Sequence, residues 1–304
     1  MEDIMKIENN DTALILTPGG MRNAYISGVL EGLQISPNSF KRIYTASSSA
    51  FPGAFYIAGQ NHRTEQIWVE ELTSPKVFST KRMMLGKRAA DTNYLVDVAC
   101  RELNIHKACN STTELYVARL EIETGTTEFV QATENNFSEL MKATCAFPLA
   151  ARYVSHEGKL YADGGTEETL PVHVAYRDGF RKILVISSIS PVGVDTYGLL
   201  WQWLAFPKSP SARNAINRRS DSYQKGIQFL QWPPPDVKTD LVSPKVTLPA
   251  QLFSRAPEKI RDTYNIGFHD GVAHREEINT FLNTESLHEE KNENNILKTE
   301  RKVK

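Results

Sequence analysis

Cysteine is scarce in this chain, with three in 304 residues: Cys100, Cys109 and Cys145. An odd set without C-x-x-C spacing argues against a disulfide scaffold and a cysteine-based metal site, and it suits a reducing compartment. Charge of one sign is also missing. Lys and Arg number 35 against 36 Asp and Glu, a formal net charge of −1. No global field therefore recruits nucleic acid or an anionic membrane. No apolar run is long enough to span a bilayer. The polar, acidic start from Met1 to Asp11 has no apolar core of a signal peptide. The expected location is cytoplasmic, with any membrane contact peripheral. The seven histidines fall in no H-E-x-x-H pattern, so no metal site is expected. The G-x-S-x-G signature of an α/β-hydrolase nucleophile is absent as well.

What is present alternates. Strand-like Thr12 to Leu16 precedes helix-like Arg22 to Leu33; strand-like Lys41 to Tyr44 precedes helix-like Ala50 to Ala58. Helical spacing of apolar residues continues over Arg63 to Leu72 and Leu95 to Leu103, and Phe137 to Ala146 also reads as helix. Glu114–Glu121 and Thr126–Gln131 flank Glu123-Thr124-Gly125 as a hairpin, and Arg152–Val154 with Lys159–Tyr161 form a second one. Lys182 to Ser187 is a continuous apolar strand of the kind buried inside a parallel sheet. This pattern predicts a three-layer α/β/α domain with a mostly parallel central sheet and antiparallel hairpins. Apolar residues make up 40% of the chain, enough for a substantial core. The domain is expected over 11–282, between a polar tail at 1–10 and a Glu-, Lys- and Asn-rich tail at 283–304.

Chemistry concentrates in blocks at strand ends. Leu14-Ile15-Leu16 runs into Pro18-Gly19-Gly20-Met21-Arg22-Asn23, where glycines let backbone N–H groups approach a ligand oxygen. The second block, Thr45-Ala46-Ser47-Ser48-Ser49, lies on a strand-to-helix turn, a place where a serine hydroxyl stands clear of the backbone. The third, Tyr161-Ala162-Asp163-Gly164-Gly165, offers a carboxylate as general base for a serine. Taken alone, the serine run is a helix N-cap and the glycine pairs are ordinary turns. In this order, each at a strand end, they point to one site.

Together these residues resemble the patatin-like phospholipase family. Its oxyanion loop, G-G-G-x-[KR]-G, is similar to Pro18 through Asn23, and Tyr25, Gly28, Val29 and Leu30 continue the pattern. Its D-G-[GA] block is similar to Asp163-Gly164-Gly165, preceded by Ala146-Phe147-Pro148-Leu149 and followed by Leu170-Pro171-Val172. The resemblance covers roughly residues 11 to 280 and extends to Gln231-Trp232-Pro233-Pro234 and Tyr264 to Gly271. It implies a serine acyl hydrolase of phospholipid or lysophospholipid esters that uses a Ser–Asp dyad and no cofactor. Asp163 is then the base, Gly19, Gly20 and Met21 supply the oxyanion amides, Arg22 braces their loop, and Gly164 and Gly165 shape the Asp loop. Two registers fit the nucleophile. Ser47 lies about a dozen residues before Gly59 and just past the strand, as in the family. Ser48 has the smaller flanking residues Ala46 and Ala50.

Glycines of the pattern are replaced. Pro18 has no N–H to donate, and Asn23 stands at the end of the same loop. Thr45 and Ser49 replace the elbow glycines, and a β-branched Thr is expected to crowd that turn. These changes motivate an alternative, a weakened domain that binds lipid or a protein partner without efficient turnover. Acyl transfer to an acceptor other than water is a further option. Around Trp201, Trp203 and Phe206, aromatics beside Lys208, Arg213, Arg218 and Arg219 suit a membrane interface, or else a helix packed on the core. His173, just after Pro171-Val172, invites a Ser–His–Asp reading, although a histidine at a helix start is more often structural. The Gly19-Gly20 turn lacks the Lys-Ser/Thr of a nucleotide phosphate loop.

Overall fold

The computed structural model describes residues 11–85, 88–189 and 198–284. The expected N-terminal tail, the C-terminal tail beyond Thr284, and Tyr197 lie outside these residues. The strands are β1 (Thr12–Leu16), β2 (Arg42–Ala46), β3 (Glu114–Glu121), β4 (Thr126–Gln131), β5 (Val154–His156), β6 (Lys159–Asp163), β7 (Lys182–Ile186) and β8 (Lys238–Val242). They form one sheet in the order β5-β6-β3-β2-β1-β7-β8, with β4 also paired to β3. Strands β1, β2, β3, β7 and β8 run parallel; β4, β5 and β6 add antiparallel pairs.

The apolar runs of β1 and β7 are explained by burial on both faces. In β1, Leu14 and Leu16 point into one core and Ala13 and Ile15 into the other. In β7, Leu184 and Ile186 join the first core, Ile183 and Val185 the second. This is the period of two that a pleated strand imposes. The first core is roofed by α1 (Ala24–Leu33), α2 (Ala50–Ile57) and the long helix Pro257–Asn283, and the second by the helices Val172–Arg177 and Arg219–Gln231. The expected three-layer arrangement is therefore observed.

Helix α1 and the long helix touch backbone to backbone. A Cβ on Gly28 would lie 2.1 Å from the Tyr264 carbonyl oxygen, and one on Gly267 would lie 2.1 Å from that of Tyr25. One expected helix, Arg63 to Leu72, is instead broken into an α-turn at Thr64–Gln66 and a π-helical turn at Ile67–Glu71.

Strand β1 has β2 on one side and β7 on the other, so the direction of sheet growth reverses at β1. Crevices in open α/β sheets form at the carboxyl ends of strands beside such a reversal. The Pro18–Asn23 loop leaves β1 there, Ser47 follows β2, and Ser187 and Ser188 follow β7.

Candidate active site

Strand β3 brings Ser47 and Asp163 together. β2 pairs in parallel with Glu114–Ala118 of β3, and β6 pairs antiparallel with Arg119–Glu121. β4 overlaps both stretches and so occupies the opposite edge. Strands β2 and β6 therefore lie end to end along a single edge and run toward each other. Ala46 is opposite Ala118, and Asp163 is opposite the next residue, Arg119. The residue that follows Ala46 is Ser47. Its hydroxyl faces the Asp163 carboxylate and favours the ionised form of that group.

Ser47 has φ +57°. A left-handed backbone is unfavourable for a residue with a Cβ, and strain of this kind concentrates where surrounding structure holds a functional side chain in place. Here the Ser47 amide donates to Thr144 Oγ1 at 2.7 Å. Ser49, fully buried, accepts from the Ala46 amide at 3.0 Å and packs its hydroxyl 2.8 Å from the Leu16 carbonyl oxygen. Thr45, expected to crowd the turn, bonds the Tyr116 carbonyl at 3.1 Å, and its methyl faces Gly53 of α2.

Ser48 is turned elsewhere. Its hydroxyl donates to the Gly20 carbonyl at 2.9 Å and accepts from Asn23 Nδ2 at 2.9 Å. Asn23 is fully buried. Its Nδ2 also reaches the Thr17 carbonyl at 3.1 Å, and its Oδ1 accepts from Ser188 Oγ at 2.5 Å. The side chain that replaces the last loop glycine thus ties together the ends of β1, β2 and β7.

Asp163 is 1% exposed. Burial pushes its carboxyl up to about 7; the Ser47 hydroxyl, the Gly165 amide at 2.8 Å and the Arg219 guanidinium pull it back down. Both Asp-loop glycines are sterically required. A Cβ on Gly164 would lie 2.7 Å from Ala118 Cβ, and one on Gly165 2.8 Å from Pro18 Cβ. Pro18 therefore packs the Pro18–Asn23 loop against the Asp loop.

Gly19 and Gly20 border the same polar cavity as Ser47 and Asp163. Arg22 Nε donates to the Gly19 carbonyl at 3.2 Å. Met21 departs from expectation. Its amide is engaged by the Leu252 carbonyl at 3.1 Å and faces that loop rather than an oxyanion.

Two cavities meet at Ser47. One, of about 780 Å³ including space open to solvent, is lined by apolar side chains such as Phe51, Trp68, Leu72, Leu95 and Phe253. The other is polar and holds Arg22, Asp163, Arg219 and Gln251. Cys145 borders the apolar cavity, and burial raises its thiol well above the ordinary range. His173 belongs to neither cavity; it lies 3.3 Å from Glu168 in a separate surface cleft. Among the described residues, no group of His, Cys, Asp and Glu is arranged to hold a metal ion.

The aromatic stretch expected to face a membrane is only partly exposed. Phe206 is 2% exposed and stacks on Tyr153, and Trp201 packs against Phe147. Trp203 is 55% exposed, and Leu199, Leu200 and Leu204 on the same helix are exposed with it. For Trp201 and Phe206 the second of the two expectations, packing on the core, describes the contacts: Trp201 lies on the helix Leu199–Ala205 and Phe206 just past its end. Among the described residues, no helix is long and apolar enough to cross a membrane.

Arg219 and Leu252 are site residues that the strand-end blocks did not reveal. Both lie far beyond Asp163 in the chain, on later elements, and no local motif marks them.

Comparison with known proteins bears on the family and the fold. A family model described as a domain of unknown function (DUF6363) matches residues 209–283. The Escherichia coli K12 protein YjjU, itself uncharacterized, is 24% identical over 266 residues, 84% of this chain and 74% of its own. Two solved structures share the fold at 11% identity. VipD from Legionella pneumophila aligns with TM-score 0.51 over 88% of this chain and 67% of its own. Human GIVD cytosolic phospholipase A2 aligns with TM-score 0.52 over 92% of this chain and 63% of its own. The model described as patatin-like phospholipase matches residues 14–176, more than half of the chain, and on that match the chain belongs to the patatin-like phospholipase family.

Proposed function

We propose that this protein is a serine lipid acyl hydrolase in which Ser47 is the nucleophile and Asp163 its general base. The observation that carries the reading is the Ser47 hydroxyl, held on a left-handed turn and facing a buried carboxylate across one cavity. Ser47 Oγ attacks the ester carbonyl carbon while Asp163 accepts its proton. The carbonyl oxygen becomes an oxyanion that the Gly19 and Gly20 amides stabilise. Collapse breaks the ester C–O bond, and Asp163 returns the proton to the leaving alcohol oxygen. Water then attacks the acyl-enzyme carbonyl and loses a proton to Asp163; the acyl C–Oγ bond breaks, Asp163 returns the proton to Ser47 Oγ, and the fatty acid is released.

The two cavities suit a phospholipid or lysophospholipid. An acyl chain in the apolar cavity and a polar headgroup in the other would leave the ester carbonyl at Ser47, which borders both. The exposed face of Leu199, Leu200, Trp203 and Leu204 lies beside this entrance, since Trp201 of the same helix touches Phe147, a residue of both cavities. That face is the proposed peripheral contact with a lipid surface.

A second reading, lipid binding with slow turnover, is favoured by the donor count. Pro18 has no amide proton and the Met21 amide is engaged, which leaves the loop short of donors. Fatty-acid release from lysophospholipid and phospholipid vesicles tests both. The hydrolase reading expects release that falls by roughly a thousandfold or more in Ser47→Ala. Wild-type vesicle binding without release would favour the second.

A further inference from the structure

The helix Arg219–Gln231 grips the Asp loop position by position. Arg218, which caps it, pairs with Glu167 at 2.7 Å. Arg219 Nη1 donates to the Gly165 carbonyl. Ser222 Oγ donates to Glu168 at 2.8 Å, and a Cβ on Gly226 would lie 2.8 Å from the Leu170 carbonyl oxygen. Positions 219, 222 and 226 recur at helical spacing, so one face of one helix contacts the loop from 165 to 170. Farther along, the loop before the long helix grips the oxyanion loop. Leu252 accepts from the Met21 amide at 3.1 Å, and a Cβ on Gly20 would lie 2.3 Å from the Leu252 carbonyl oxygen. Phe253 borders both cavities that meet at Ser47. The Ala250 amide, bonded to Thr263 Oγ1 at 2.9 Å, anchors this loop to the long helix.

All of these contacts arise within or at the border of residues 209–283, the region that the model of a domain of unknown function matches. We propose that this region is the second half of the hydrolase site, and that Arg219 is its positioning residue, holding the Asp163 loop in working geometry. The inference rests on the reading of Ser47 and Asp163 as nucleophile and base. Its chain of contacts is short. Arg219 fixes the Gly165 carbonyl, and the amide of the same Gly165 donates to Asp163 Oδ1 at 2.8 Å. Arg219 is 9% exposed and borders the polar cavity with Asp163, so solvent screens its charge weakly there. The groups that face the Asp163 carboxyl are the Ser47 hydroxyl, the Gly165 amide, the Cys145 thiol and the Arg219 guanidinium. The guanidinium is the cation among them, so it favours the ionised carboxylate that can accept a proton. A helix serving as a plain structural strut would not alter that titration.

The test compares the full chain with Arg219→Gln and Arg219→Lys. Asp163 is titrated by NMR of 13C-labelled aspartate, with its resonance assigned by loss in Asp163→Asn, and kcat/KM is measured against pH on a soluble short-chain ester. In Arg219→Gln, the Asp163 midpoint is expected to move upward from about 7, with the acid limb of kcat/KM moving beside it. A shift of one unit lowers the rate on that limb roughly tenfold. A midpoint and acid limb that superpose on wild type overturn the proposal. Should Arg219→Gln fail to fold by circular dichroism, Arg219→Lys decides. It retains the charge without the planar fork, so the midpoint is expected to hold while kcat falls by roughly tenfold; wild-type kcat in this variant overturns the proposal. An inactive wild type would defeat the hydrolase reading alone, because the NMR titration still reports whether Arg219 governs Asp163.

Discussion

The methyl of Thr45 lies 3.0 Å from the point where a Gly53 side chain would begin. Thr45 is the penultimate residue of β2, just before the Ser47 turn, and Gly53 is the residue of α2 that faces it. The space that an elbow glycine would leave is here moved to the helix. Gly53→Ala is therefore expected to destabilise the chain by about 1 kcal/mol, overpacking of about 1–3 kcal/mol being partly offset by helix propensity. In a Thr45→Gly background the same change is expected to be neutral or stabilising. Denaturant melts of the single and double variants check this as a coupling energy; additive effects would contradict it.

Asn23 serves the same end by a different route. Its bonds to Thr17, Ser48 and Ser188 fix the Pro18–Asn23 loop, proposed to hold the oxyanion, against the Ser47 turn. Asn23→Ala is expected to lower kcat by roughly tenfold or more with little change in KM, because a displaced loop loses contacts made in the transition state. The variant should also lose about 1–3 kcal/mol of stability through the buried partners left unsatisfied. Steady-state kinetics on a short acyl ester, beside a thermal melt, separate the two effects.

The strand ends of this molecule were legible in its sequence, because a buried parallel strand reads as an apolar run and its loop as glycine and polar residues. Thr12–Leu16 and Lys182–Ile186 emerge almost as expected. Of the candidate site, Gly19, Gly20, Ser47 and Asp163 stood out in the sequence as strand-end blocks, and they line one cavity. What brings Ser47 to Asp163 did not stand out, since no local signal says that β2 and β6 share one edge of β3. The same holds for Leu252, whose carbonyl takes the Met21 amide, and for Arg219. Lys182 shows this outside the site: it reads as the start of a strand, yet its buried ammonium donates to the Leu282 and Thr284 carbonyls that end the long helix. Thr45 was legible as a steric problem, but its solution, Gly53, lies on the following helix and needed the packing to be seen.

Asp163 accepts a proton only when ionised, and burial holds its carboxyl at about 7. Hydrolysis is expected to rise with pH through that value and to lose its acid limb in Asp163→Asn along with most of its activity. Stability runs the other way. A carboxyl raised above its unfolded value contributes stability that is complete below the unfolded pKa and lost as pH climbs through the folded one. Melting temperatures at pH 5 and pH 8 are expected to show Asp163→Asn gaining on wild type at the higher pH. An equal difference at both values would contradict a raised Asp163.

The exposed helix face predicts a split between substrates. Leu200→Glu and Trp203→Glu are expected to slow hydrolysis of lipid in vesicles by roughly tenfold or more, the loss of an apolar insertion worth about 1.5–3 kcal/mol. Both should leave a soluble short-chain ester unaffected, since neither residue borders the cavities. Parallel assays on the two substrates check this, and equal loss on both would point to damage at the site instead.

The central claim is that one activated serine, Ser47, is paired with Asp163. Incubation with a fluorophosphonate probe followed by peptide mass mapping tests it most directly, because only an activated hydroxyl forms the covalent adduct. The account predicts a single adduct on Ser47, lost in Ser47→Ala, strongly slowed in Asp163→Asn, and retained in Ser48→Ala. An adduct on Ser48, or none on the wild-type chain, would contradict it.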